Sequence, residues 1–128
     1  MAGPGRRVYG VELIEDAVRD ANYNATLNGL QDSVSFICKR VEHAITPLLK
    51  DVTNRAVAVL DPPRSGVPND VIRAVRNCEY ITRVVYVACD AQKAETNFVE
   101  CAFLFSFYCF FVRDWLTSGR LFLCVAVR

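Results

Sequence analysis

An α/β domain built on a parallel sheet is the fold this sequence predicts, and three features predict it. Apolar runs too short for helices alternate with segments of helical periodicity. Two of those runs, AVAVL at 56–60 and VVYVA at 84–88, are almost continuously apolar, as strands buried on both faces of a parallel sheet must be. The alternation itself calls for helices laid over the sheet. With 128 residues, 52% of them hydrophobic and 23% charged, there is room for one domain and a modest core.

Val8 to Leu13 is the first short apolar run, and it carries an acid, Glu12, near its end. From Ile14 onward, Ile14, Ala17, Val18, Ala21 and Ala25 keep helical spacing, while Glu15, Asp16, Arg19 and Asp20 fall off that face. Asn28-Gly29 ends this helix with a left-handed cap, because glycine has no Cβ to clash there. Val34 to Cys38 reads as a strand and Ala44 to Leu49 as a short helix, with Pro47 early enough to be tolerated. After the strand 56–60, Asp61-Pro62-Pro63-Arg64-Ser65-Gly66 must leave the sheet, since two prolines cannot continue a central ladder. Asn69 to Arg76 predicts a helix with Val71, Ile72 and Val75 inward, and 97–105 a further helix. The run 101–112, CAFLFSFYCFFV, falls short of the roughly 20 apolar residues of a membrane span. It reads as a buried helix or a poorly accommodated, aggregation-prone tail. Leu121 to Val127 suits a terminal strand whose partner the sequence does not fix.

Composition removes several function classes. Fifteen basic residues stand against fourteen acidic ones, a net charge of +1, so nucleic-acid binding would rest on local geometry and not on bulk charge. None of the six cysteines, Cys38, Cys78, Cys89, Cys101, Cys109 and Cys124, forms a C-x-x-C pair, and His43 is the one histidine. A structural metal is not expected. Residues 1–7, MAGPGRR, lack the apolar core of a secretory signal, so an intracellular setting, cytoplasmic or nuclear, with reduced and mostly buried thiols is expected.

In parallel α/β sheets, ligands bind beyond the carboxyl ends of the strands. Glu12, Asp61 and Cys89 each fall at or beside such an end. Glu12 has the placement of an acid that accepts from both hydroxyls of a ribose, for a nicotinamide or an adenosylmethionine cofactor alike; it would equally serve as a helix N-terminal acid. No G-x-G-x-x-G is present. The prolines after Asp61 stiffen the backbone, so Asp61 and Arg64 can be held for a base edge or a phosphate, or simply form a rigid charged turn. Cys89 is placed as a nucleophilic thiolate or as a near-core residue. His43 has no evident partner and reads as a surface or satisfied core residue.

In order and spacing, GVEL (10–13), Arg40-Val41-Glu42, VLDPPRSG (59–66), YVACD (86–90) and NFVEC (97–101) resemble the TrmA family of RNA uracil-5-methyltransferases. The resemblance covers residues 7–101, leaving a non-matching start at 1–6 and a hydrophobic, divergent tail at 102–128. It implies an incomplete Rossmann-like, S-adenosylmethionine-dependent methyltransferase domain, acting in complete relatives on uridine C5 of tRNA. Glu12 would then hold the cofactor ribose, Glu42 would pass near the adenine, Asp61 would stand at the cofactor–uracil junction with Arg64 nearby, and Cys89 would add to uracil C6. The family cysteine usually follows serine and precedes asparagine and proline; here Ala88, Asp90 and Ala91 stand instead, and Asp90 puts negative charge beside a thiol that must ionise.

The resemblance also implies a glycine-rich first strand and loop ahead of residue 7, a carboxyl-terminal glutamate that removes the C5 proton, and an amino-terminal RNA-binding barrel. None is recognisable here. The expectation is therefore a partial, inactive form whose central first strand and C-terminal strands are missing, so that strands 7–12 and 56–60 lack a shared neighbour. Three rival readings remain: a non-catalytic remnant that binds RNA or protein, a nicotinamide dehydrogenase fragment, and an interaction protein whose partner covers the apolar tail.

Overall fold

The computed structural model describes residues 2, 5–63, 65–88, 106–111 and 122–127, with backbone alone for Ala88 and the last two stretches. In chain order the elements are β1 (Arg7–Glu12), α1 (Glu15–Leu27), β2 (Val34–Cys38), α2 (Val41–Lys50), β3 (Ala56–Asp61), α3 (Asn69–Asn77), β4 (Ile81–Ala88), β5 (Ser106–Phe111) and β6 (Phe122–Val127). They build one six-stranded sheet in the order β2-β1-β6-β3-β4-β5. Pairing is parallel for β1–β2, β3–β4 and β4–β5, and antiparallel on both sides of β6. The alternating parallel strands and helices are those of a partial Rossmann-like core, as the sequence predicts.

Each local feature has a physical cause. Ile14, the residue before α1, has no capping side chain of its own, and the Glu12 carboxylate accepts its amide instead. Glu15 and Asp16 then lie in the first turn, where the helix dipole favours negative charge. The helix ends in a Schellman arrangement: Leu30 N–H donates to the Ala25 carbonyl at 2.8 Å, Gly29 N–H to that of Thr26 at 3.1 Å, and Gly29 adopts φ +64°. At β3–β4 the register slips after Ala56, and the Thr82 hydroxyl, at the slip, donates to the Ala56 carbonyl at 3.4 Å.

The principal core lies on one face. Tyr9 and Val11 of β1, Ala56, Ala58 and Leu60 of β3, and Val84 and Tyr86 of β4 meet Ile45 and Leu48 of α2 and Val71, Ile72 and Val75 of α3. Ala58, Leu60, Val71, Val84 and Tyr86 have no solvent exposure at all. Full burial of a valine, leucine or isoleucine side chain is worth roughly 1.5–3 kcal/mol. Connections from β1 to β2 and from β2 to β3 run in opposite directions across the sheet, so right-handed crossovers put α1 and α2 on opposite faces. Lying over the outer pair β1–β2, α1 buries only Ala25 fully and leaves Tyr23 and Leu27 exposed.

Three expectations are corrected. Part of the apolar run 101–112 is a strand, β5, registered against Arg83–Ala88, and not a helix or an unplaced tail. β1 and β3 do share a neighbour: β6 pairs with Arg7–Val11 on one side and Ala56–Asp61 on the other. The sheet thereby gives the buried backbone amides of both strands partners on their shared side. α2 starts at Val41, so Pro47 sits inside it; Pro47 and His43, whose carbonyl loses the i→i+4 bond, both lie on the exposed side. Cys38 is exposed on the edge strand β2 and Cys78 half-buried, both free thiols; the side chains of the other four cysteines lie outside the described residues. The expected helix at 97–105 lies outside the described residues.

Candidate functional site

Five strands share one direction, so the carboxyl ends of β1, β2, β3 and β4 form a single edge of the sheet. Across that edge come, in order, the β2–α2 turn that leads to Glu42, then Glu12 closing β1, Phe122 opening β6, Asp61 closing β3 and Ala88 closing β4. Asp61 pairs directly with Phe122, and Val11, the residue before Glu12, pairs with Leu123. Glu12 and Asp61 therefore flank one strand. At about 4.8 Å per strand spacing their main chains are about 10 Å apart.

Glu12 is the one buried acidic or basic residue among the described residues, at 9% exposure. Its Oε1 accepts the Ile14 amide at 2.8 Å, and its own carbonyl accepts from Lys39 N–H at 3.0 Å. These bonds fix both the side chain and the strand end. Among the described residues no donor is placed on Oε2, and no buried polar side-chain atom is left unsatisfied. Of the two uses weighed from sequence, the Ile14 amide bond is the one at the start of α1.

Asp61 is exposed overall, but its carboxyl is crowded enough that desolvation raises its pKa above the ordinary 3.8. Beyond it the chain turns sharply: Gly66 N–H donates to the Pro63 carbonyl at 2.9 Å, with Gly66 at φ +85°, a conformation that side chains with a Cβ resist. Glu42 is half-buried in the first turn of α2, 4.0 Å from the exposed Arg40 guanidinium, a pairing worth little in water. His43 is exposed. Arg64 and Cys89 lie outside the described residues; β4 ends at Ala88, on the same edge. The structure thus brings Glu12, Asp61 and the Glu42 turn to one edge. Among the described residues no group of three or more His, Cys, Asp or Glu side chains is placed to hold a metal, and no helix is long and apolar enough to cross a membrane.

A second concavity of about 470 Å³ lies at the opposite, amino-terminal edge, lined by residues that include Arg6, Arg7, Tyr9, Asp51 and Asn54. Sequence reasoning missed it. Its walls come from three separate segments that only the strand order brings together.

Acids at the carboxyl ends of parallel strands stand where open α/β sheets place their ligands. Comparison with known proteins narrows the class. The chain is 44% identical over 96 residues to the tRNA (uracil-5-)-methyltransferase homolog A of Mus musculus, covering 74% of this chain and 16% of that protein. The Homo sapiens homolog A is 42% identical over 96 residues, covering 74% and 15%. The uncharacterized RNA methyltransferase TTE1812 of Caldanaerobacter subterraneus is 41% identical over 83 residues, covering 65% and 18%. No family model and no solved structure matches. At family level the chain belongs with the TrmA-like tRNA uracil-5-methyltransferase homologs, and it spans about one sixth of the length of the animal homologs A it matches.

Proposed function

We propose that this chain carries the ribose-binding and base-facing edge of an S-adenosylmethionine-dependent RNA uracil-5-methyltransferase, acting in complete relatives on tRNA, and that by itself it is a partial form without turnover. The observation that carries this reading is the alignment of Glu12 and Asp61 at the ends of two parallel strands that flank β6, with β4 ending on the same edge just before Cys89. The residues fit the ribosyl end of the cofactor. Glu12 offers a second carboxylate oxygen that no donor among the described residues occupies, on a side chain already held by the Ile14 amide. Glu42 stands on the neighbouring turn, where an adenine would pass.

When bound, adenosylmethionine supplies a methyl group activated by its sulfonium charge. The chain's own part in that chemistry falls to Cys89. Its thiolate would form a bond to uracil C6, the C5–C6 π pair would become a C4–C5 double bond as the carbonyl π pair moves onto O4, and the resulting enolate would make C5 nucleophilic. Asp61, with a carboxyl that holds its proton above the usual range, suits hydrogen bonding to the base. Arg64 suits an RNA phosphate. After methyl transfer a base must take the C5 proton so that the thiolate can leave, and no residue of this chain is assigned that task. The expected end point is a stalled adduct.

A second reading, a non-catalytic remnant that binds RNA or protein, is favoured by β6. It fills the slot between β1 and β3 in the antiparallel sense, and so brings Phe122 to the edge instead of a loop that leaves a strand. Isothermal titration with adenosylmethionine separates the two. Saturable one-to-one binding that weakens about tenfold in Glu12→Gln, the scale of one hydrogen bond to a charged group, supports the methyltransferase edge. Absence of binding by a folded, monodisperse sample sinks it and leaves the remnant.

A further inference from the structure

The concavity at the amino-terminal edge is built differently from the edge just described. On one side stand Arg6 and Arg7, consecutive at the start of β1, and neither guanidinium has a carboxylate within ion-pairing distance among the described residues. On the other side stand Asp51, Thr53 and Asn54, the connection from α2 into β3. Asp51 occupies the C-cap of α2, where the helix dipole is negative and an acid is unfavourable. Local rules broken in this way are expected where a ligand repays the cost. The half-buried Tyr9, packed against the core, contributes between the two sides. Thr53 and Asn54 make no side-chain hydrogen bond within the described residues. The groove is thus mixed in charge: Arg6 and Arg7 stand beside Asp32, which precedes β2, and face carboxylate and amide acceptors of the α2–β3 connection across it. Asp32 also lines it, so the net charge of the lining is near zero and a simple anion is a poor match.

We propose that this groove binds one nucleotide monophosphate unit. Its phosphate would sit on Arg6 and Arg7, and its ribose hydroxyls or base amino group would donate to Asp51 and Asn54. The volume of about 470 Å³ lies within the ordinary range of small-ligand pockets, roughly 300–1,000 Å³, and matches one such unit and not a helix or a protein segment. The unit is supplied either by a free nucleotide or by one residue of an RNA strand. The second source rests on the proposed RNA substrate and would give that strand a foothold on the edge opposite the methyl-transfer edge.

Two titrations of the full chain test this, one with uridine 5′-monophosphate and one with a short, fluorescein-labelled single-stranded RNA followed by anisotropy. Saturable binding of either probe that falls about tenfold or more in Arg6→Gln/Arg7→Gln and also falls in Asn54→Ala supports the groove. Asn54 lies in an exposed connection, so its variant guards against a folding artefact. Tighter binding of the RNA, with a salt dependence that flattens in the double arginine variant, assigns the strand; equal binding of the free nucleotide assigns the small molecule. Binding of neither probe, or binding unchanged in all variants, overturns the proposal. Adenosylmethionine titration of the same samples tells the two failures apart, because the groove variants leave Glu12 and Asp61 untouched.

Discussion

Proline at Val125 tests the architecture where it is most unusual. Val125 stands at the centre of β6, facing Tyr9 of β1 and Ala58 of β3. In an antiparallel ladder its N–H serves one of those neighbours. Val125→Pro removes that donor, leaves the opposite carbonyl unpaired inside the sheet, and places a ring where the strands are about 4.8 Å apart. A lost hydrogen bond costs about 0.5–1.5 kcal/mol net, and an orphaned buried acceptor about 1–3 kcal/mol. Together these make a loss of roughly 2–4 kcal/mol, before any steric term. With a urea dependence of about 1–3 kcal/mol/M, the unfolding midpoint should fall by roughly 1–2 M. Hydrogen exchange adds the location: amides of Val8–Val11 and Ala58–Leu60 should lose protection together, since β6 alone joins them. A midpoint within error of the wild type, with protection of both strands unchanged, would refute the placement of β6 between β1 and β3.

Two further outcomes follow from the core and the edge. Ile72, only 1% exposed on the inward face of α3, should cost about 2–5 kcal/mol when replaced in Ile72→Ala, read by chemical denaturation against a surface control such as Arg73→Ala. Asp61 holds its proton more tightly in the folded state than the ordinary value of 3.8, so the wild type loses stability as pH rises from about that value through the raised pKa. Asp61→Asn does not titrate; its melting temperature relative to the wild type should therefore climb across that window and level off above it. A difference independent of pH would remove desolvation of Asp61 from the account.

Much of this fold was legible because burial leaves a periodic mark. Val71, Ile72 and Val75 announced the inward face of α3, and AVAVL announced β3. Asn28-Gly29 gave the end of α1 through backbone chemistry alone. The shared edge of Glu12 and Asp61 was legible because parallel strands place their carboxyl ends on one side whatever the strand order. β5 was not legible: an apolar stretch such as SFYCFF has no polar face to reveal a period, so helix and strand look alike. The partner of β6 was not legible either, since pairing between residues more than a hundred positions apart has no local signature. The amino-edge groove failed for the same reason, because Arg7, Asp51 and Asn54 meet only through the order of strands.

The direction of β6 separates two demands that a central strand usually meets together. The sheet needs backbone donors and acceptors between β1 and β3, and an antiparallel strand supplies them as well as a parallel one. The ligand edge needs something else. A parallel strand in that slot would end between Glu12 and Asp61 and release its following loop there, with backbone amides free to meet a charged ligand. β6 instead opens at Phe122 on that edge and delivers its last residues to the opposite one, where Val127 pairs with Arg7 beside the groove. Sheet pairing and ligand contact are therefore separable in this arrangement: the core closes around α2 and α3, and Glu12 keeps its bond to the Ile14 amide, whichever way the central strand runs. A chain organised like this is expected to fold and to retain the ribose end of a cofactor site while lacking the loop that would grip the rest of the ligand. Its affinity for adenosine should accordingly approach its affinity for adenosylmethionine, and a large preference for the complete cofactor would show that some other part of the chain replaces the loop.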